Sequence, residues 1–127
     1  MVNAEESAGL RFAHALADKD EAGLRQVLAD DLDFRGLTPG KFWEADSSDA
    51  TIEIMLGTWF APHEDIDAIL SLGENDTVED TAHVSYRFAV TTPDGAHTAE
   101  QQAYYRTEGD EITYLRILCS GMRPVAD

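Results

Sequence analysis

Residues 81–120 read TAHVSYRFAVTTPDGAHTAEQQAYYRTEGDEITYLRILCS, and the way this stretch pairs with itself decides the fold. Tyr86, Phe88 and Val90 alternate with Ser85, Arg87 and Ala89. That is the period of a half-buried strand, which a helix cannot use. In Thr92-Pro93-Asp94-Gly95 the proline presets the first turn position and the glycine supplies a positive φ. A second run, His97 to Thr107, ends at Glu108-Gly109-Asp110, and a third, Ile112 to Cys119, ends at Ser120-Gly121. The pattern predicts three antiparallel strands in a curved sheet with polar groups on its inner face.

Register decides which residues share that face. With Pro93-Asp94-Gly95 as a three-residue loop, Thr92 faces Ala96, Phe88 faces Glu100, Tyr86 faces Gln102 and Val84 faces Tyr104. With Gly109-Asp110 as a two-residue loop, Glu100 faces Cys119, Gln102 faces Ile117 and Tyr104 faces Leu115. Val84, Tyr86, Phe88, Glu100, Gln102, Tyr104, Leu115, Ile117 and Cys119 are then expected inside. Ser85, Arg87, Gln101, Ala103, Tyr105, Tyr114 and Arg116 are expected outside. A one-residue slip in the first hairpin would exchange the Glu100 and Gln101 sets.

The 127 residues suit one domain, residues 1–127, with a real core. An apolar fraction of 43% fits a globular chain, and no apolar run is long enough to span a membrane. The acidic start, Met1-Val2-Asn3-Ala4-Glu5-Glu6, lacks a signal-peptide profile, and the single cysteine rules out an internal disulfide framework. Both point to the cytoplasm. Twenty-five acidic residues against nine basic ones give a net charge of −16. Such a surface repels nucleic acid and anionic lipid, so neither is an expected partner. Excess Asp and Glu with scarce Lys also resembles the surface of salt-adapted proteins, but the reading preferred is a soluble, self-repelling surface from an acidic proteome.

Before the sheet, Glu5 to Asp18 reads as a helix with Phe12, Ala13, Leu16 and Ala17 on its apolar stripe. Asp20 is placed to cap a second helix, Glu21 to Ala29, and Asp30-Asp31 falls in the loop beyond it. Leu32 to Arg35 reads as a short strand, Trp43 as a loop residue. Asp46-Ser47-Ser48-Asp49 offers caps for a third helix, in which Ile52, Met55, Leu56 and Trp59 recur at helical spacing until Pro62. Ile66 to Leu72 is the next predicted strand, and Gly73 to Asp80 a polar loop.

Helices, a short strand, a helix and then long antiparallel strands make an α+β order. That order, with ALADKDEAGLRQVLADDLDFRGLTPGKFWEA leading and GDEITYLRILCSG closing, resembles the nuclear transport factor 2-like superfamily, and within it the SnoaL-like branch. The resemblance implies a cone: three N-terminal helices against a curved, mostly antiparallel sheet, with an apolar pocket open at one end. It also implies a homodimer through the outer sheet face, where Tyr105, Tyr114, Arg87 and Arg116 are expected. Against the ketosteroid isomerases of that superfamily, the positions of the general-base aspartate, the oxyanion tyrosine and the protonated aspartate fall at Gly36, near Ala13 and at Gln102. All three groups are lost or changed, so a steroid-isomerase mechanism is not expected.

The candidate catalytic residue is Glu100. On a face with Phe88 and Cys119, a poorly hydrated carboxylate would serve as a general base or acid; paired with an arginine such as Arg35, it would be structural. Gln102, Tyr86 and Tyr104 are candidates to orient a ligand by hydrogen bonds. Phe34, Trp43, Trp59, Phe88, Leu115, Ile117 and Cys119 complete the expected pocket. Cys119 lacks a histidine partner for nucleophilic work, and His63-Glu64-Asp65 are too close in sequence to converge on a metal. No phosphate-cradling glycine loop precedes a helix, so no cofactor is expected. The function expected is binding of an apolar or aromatic small molecule in the cone, with cofactor-free proton transfer (isomerisation, cyclisation or dehydration) if Glu100 is the base. The alternative is a non-catalytic member that binds a ligand or a partner.

Overall fold

The computed structural model describes residues 7–125. The acidic start and the first two residues of the predicted first helix lie outside them. Helix α1 is Ala8–Ala17, capped by the Ser7 hydroxyl, which accepts from the Leu10 amide. Helix α2, Glu21–Val27, is capped by Asp20 as expected, through the Gly23 amide. It stops two residues early because Leu28 is already extended and opens strand β1, Leu28–Thr38. The strand is longer than the predicted Leu32–Arg35 and takes in Asp30 and Asp31. These acids point to solvent while Leu28, Ala29, Leu32 and Phe34 are buried.

A turn at Pro39-Gly40 leads to strand β2, Lys41–Ala45, so Trp43 belongs to a strand and not to a loop. Helix α3, Ser48–Ile54, starts at its Ser47 cap and runs into a π-helical turn, Met55–Trp59, closed by the Phe60 amide on the Met55 carbonyl. The wider turn sets Met55 and Trp59 on the core side. Strands β3 (Asp65–Val78), β4 (Thr81–Thr92), β5 (Gly95–Glu108), β6 (Glu111–Cys119) and the short β7 (Arg123–Pro124) follow. Strand β3 absorbs most of the predicted 73–80 loop, leaving Glu79-Asp80 as its turn, with Glu79 at φ 57°.

The sheet runs β2-β1-β6-β5-β4-β3, with β7 on β5; β1 and β6 are parallel and every other pair is antiparallel. The helices cover one face, and the core lies between them and Phe34, Tyr86, Phe88, Leu115 and Ile117.

The register of the first hairpin corrects the expected face assignment. Thr92 pairs with Gly95, Phe88 with Ala99, Tyr86 with Gln101 and Val84 with Ala103. The loop is therefore Pro93-Asp94 alone, which keeps proline in the turn and out of the ladder, and Gly95 takes φ 116° just after it. Gln101, Ala103 and Tyr105 are buried, whereas Glu100, Gln102 and Tyr104 face outward. The second loop is Gly109-Asp110 as expected, but a bulge at Thr113 follows it: Thr107 pairs with Ile112 and Arg106 with Tyr114. That extra residue restores Leu115, Ile117 and Cys119 to the inside, now opposite Tyr105, Ala103 and Gln101.

Candidate functional site

Strand β6 ends at Cys119, and the chain then reverses at Gly121, which takes φ 75°. The Ser120 amide donates to the Glu100 carbonyl and the Ser120 hydroxyl accepts from the Glu100 amide, both at 2.9 Å. Beyond the reversal, β7 pairs Arg123 with Thr98 and Pro124 with His97. This returning segment forms one wall of a cleft of about 490 Å³. Thr38 and Pro39 of the β1–β2 turn form a second wall, and Trp59 and Phe60, at the end of the π-helical turn, a third. The volume and the mainly apolar lining are those of a small-molecule site.

Trp59 is seated by its neighbours. Its ring lies 5.8 Å from Phe34 and 6.2 Å, edge-on, from Trp43. Gly36 permits this approach, because a Cβ there would stand 2.9 Å from both Phe34 Cζ and Trp59 Cη2. Trp59 lines the cleft, and its indole Nε1 is buried with no hydrogen-bond partner among the described residues. Phe60 starts an aromatic run toward the interior: Phe88 at 5.9 Å, then Tyr86 at 4.9 Å, then Phe12 at 6.3 Å. The Tyr86 hydroxyl donates to Gln101 Oε1 at 2.5 Å, and the other half of that amide, Nε2, is buried without a partner. Gln101 faces Cys119, and Cys119 lines the cleft, its Sγ accepting from the Gly121 amide at 3.4 Å. Two orphaned donors thus lie in or next to the cleft wall. Each costs about 1–3 kcal/mol unless something accepts from it.

Burial pushes the Tyr86 phenol well above the ordinary tyrosine range, and Cys119 nearby adds to the rise. At neutral pH Tyr86 is a hydrogen-bond donor and cannot act as a base.

Of the residues predicted from sequence, Trp59 and Cys119 line the cleft. Phe34, Tyr86, Phe88, Leu115 and Ile117 are buried in the core behind it. Trp43 is half-buried, with its ring against Trp59 and its Nε1 donating to Thr38 Oγ1. Glu100 is displaced from the site altogether. Its side chain is 46% exposed on the outer face and accepts from Arg87 at 3.2 Å and Gln102 at 3.4 Å. The poorly hydrated carboxylate expected at this position does not exist, because the register puts Ala99 and Gln101 inward instead. Arg35, offered as its partner, pairs with Asp33 and Glu44. Gln102 is on that outer face with His83, and Tyr104 stacks on the His83 ring at 4.2 Å. Tyr105, expected on the dimer face, is buried. Sequence reasoning missed Gln101, Phe60 and the 120–123 return. The alternation of Ala99, Gln101, Ala103 and Tyr105 against Glu100, Gln102, Tyr104 and Arg106 was the available signal for the first.

Among the described residues, no helix is long and apolar enough to cross a membrane, and no group of three His, Cys, Asp or Glu side chains is placed to hold a metal.

Helices on one face of a mostly antiparallel seven-stranded sheet make an α+β fold that this chain shares with solved proteins described as SnoaL-like and nuclear transport factor 2-like. A SnoaL-like polyketide cyclase, provisionally so named, from Mesorhizobium loti superposes with TM-score 0.60 at 18% identity, covering 92% of this chain and 98% of that one. An epoxide hydrolase of LEH-like type from M. tuberculosis gives 0.63 at 15% identity over 89% and 80%. A protein provisionally described as an isomerase, from Rhodopseudomonas palustris, gives 0.70 at 17% identity over 92% of both chains. No family model matches the sequence, and no curated protein does.

Proposed function

We propose that the chain binds an apolar small molecule in the cleft between Trp59, Pro39 and Cys119, holding it by an acceptor oxygen at the buried donors. The observation that carries this reading is that Trp59 lines the cleft while its Nε1 is buried without a partner among the described residues. Nε1 is closed to a water-sized atom in this fold, so a ligand oxygen would reach it by a small turn of the Trp59 ring and would then offset its desolvation. Gln101, opposite Cys119, offers a second donor at the inner end. The structures that share the fold include proteins provisionally assigned as an isomerase and as cyclases. Proton-transfer chemistry of that kind needs a base, and among the described residues no Asp or Glu lines the cleft.

Calorimetry with a matched pair, an aryl ketone and the hydrocarbon that lacks its oxygen, tests it. The ketone should bind several-fold more tightly, and Trp59→Phe, which keeps a ring but removes the donor, should erase the difference. Equal binding of the two to the wild-type protein would remove the donor argument.

A further inference from the structure

Among the described residues, Arg123 is the lysine or arginine whose side chain has no partner. The other eight lysines and arginines all have partners. Arg11 donates to the Asp110 carbonyl, and Lys19 to the carbonyls of Ala61 and Glu64. Arg25 pairs with Glu21 and Asp49, and Arg35 with Asp33 and Glu44. Lys41 lies over the Trp43 ring. Arg87 pairs with Glu100, Arg106 with Asp80 and Arg116 with Asp33. Arg123 has no side-chain partner among the described residues, although the chain has 25 acidic residues to offer. Its backbone is held by the β5–β7 pairing opposite Thr98, and its side chain lines the same cleft as the orphaned Trp59 Nε1.

We infer that the cleft takes an apolar anion, a carboxylate or sulfonate, with its charged group outward against Arg123 and its apolar body against Trp59 and Phe60. This rests on the cleft-binding reading above and adds the ligand's charge. The sign is not the one the protein as a whole would favour. A net charge of −16 repels anions, and screening reduces that repulsion beyond roughly 8 Å at physiological salt. A guanidinium at the rim acts within contact distance, where bidentate geometry with an oxyanion is available.

The probe pair is 8-anilinonaphthalene-1-sulfonate and N-phenyl-1-naphthylamine, which share their rings and differ in the sulfonate. Both are titrated into the folded protein, with calorimetry giving the stoichiometry. The anion should bind one site per chain about fivefold more tightly than the neutral amine, the size of one ion pair at a partly exposed rim. Arg123→Gln should reverse the order, because only the repulsive field then remains, while leaving the neutral probe unchanged. Arg123→Lys should restore part of the preference. If the neutral probe binds wild-type protein as tightly as the anion, or if Arg123→Gln weakens both alike, the anion assignment fails while the cleft stands as a binding site. If neither probe binds, the cleft-binding reading fails and the anion assignment with it.

Discussion

The Tyr86–Gln101 pair gives a double-mutant cycle whose outcome is unusual for a buried hydrogen bond. In the wild-type protein one bond is made at 2.5 Å and one amide half is left buried without a partner. The bond contributes about 1 kcal/mol net and the orphan costs about 2. Tyr86→Phe removes the bond and strands the whole amide, so it should destabilise by about 2–3 kcal/mol. Gln101→Met keeps the volume and exchanges the stranded amide half for a stranded hydroxyl, a loss of about 1 kcal/mol. The double variant removes the bond and both orphans together. It should be more stable than either single variant and exceed wild type by about 1 kcal/mol, near 4 °C in Tm. Urea unfolding monitored by circular dichroism measures the four stabilities, and a common m-value would show that only stability changed. Gln101→Met should also weaken ketone binding, since a group retained at a cost to stability is expected to serve the site. A double variant less stable than both singles would refute the reasoning, because the Gln101 amide would then be satisfied in the folded protein and would hold nothing in reserve for a ligand.

Three further outcomes are expected. Because burial raises the Tyr86 phenol in the folded state alone, the folded protein keeps a proton that the unfolded chain loses above about pH 10. Stability should therefore fall as pH rises through that range, and a phenolate absorbance that appears only on unfolding should vanish in Tyr86→Phe. Glu100→Gln should change stability by less than about 1 kcal/mol and leave ligand binding intact, since Glu100 and Arg87 form an exposed pair; a loss of binding in titration calorimetry would return this residue to the site. Pairing through the outer sheet face, where Leu37, Phe42, Tyr104 and Leu118 are exposed, should give a homodimer by sedimentation equilibrium that tightens with salt as like charges are screened. A monomer at micromolar concentration in moderate salt would count against it.

The fold class and the order of the helices and long strands were legible in the residues alone, whereas the short strands β2 and β7 were not. Apolar periodicity at 3.6 and at 2 residues, the Asp20 cap, a cap within Asp46-Ser47-Ser48-Asp49 (Ser47 in the fold) and the Gly109-Asp110 turn are local signals, and each is present in the fold. The inward faces of β4 and β6 were legible for the same reason: Tyr86, Phe88, Leu115, Ile117 and Cys119 are apolar or aromatic against polar neighbours. Strand β5 was not, because the hairpin loop was counted as three residues where the chain uses two, and one residue of slip turns a strand over. The Thr113 bulge hid the error by compensating for it in β6. Reading β5 by its own alternation, small Ala99 and Ala103 inward against Glu100 and Arg106 outward, would have chosen the observed register without the turn. The cleft belongs to the tertiary structure alone. Its walls come from residues near 38, 59 and 120, and no local pattern says that the chain after Cys119 folds back onto β5. That Arg123 has no acid and Trp59 no acceptor among the described residues depends on where the other donors and acceptors have gone, which is settled by the assembled fold.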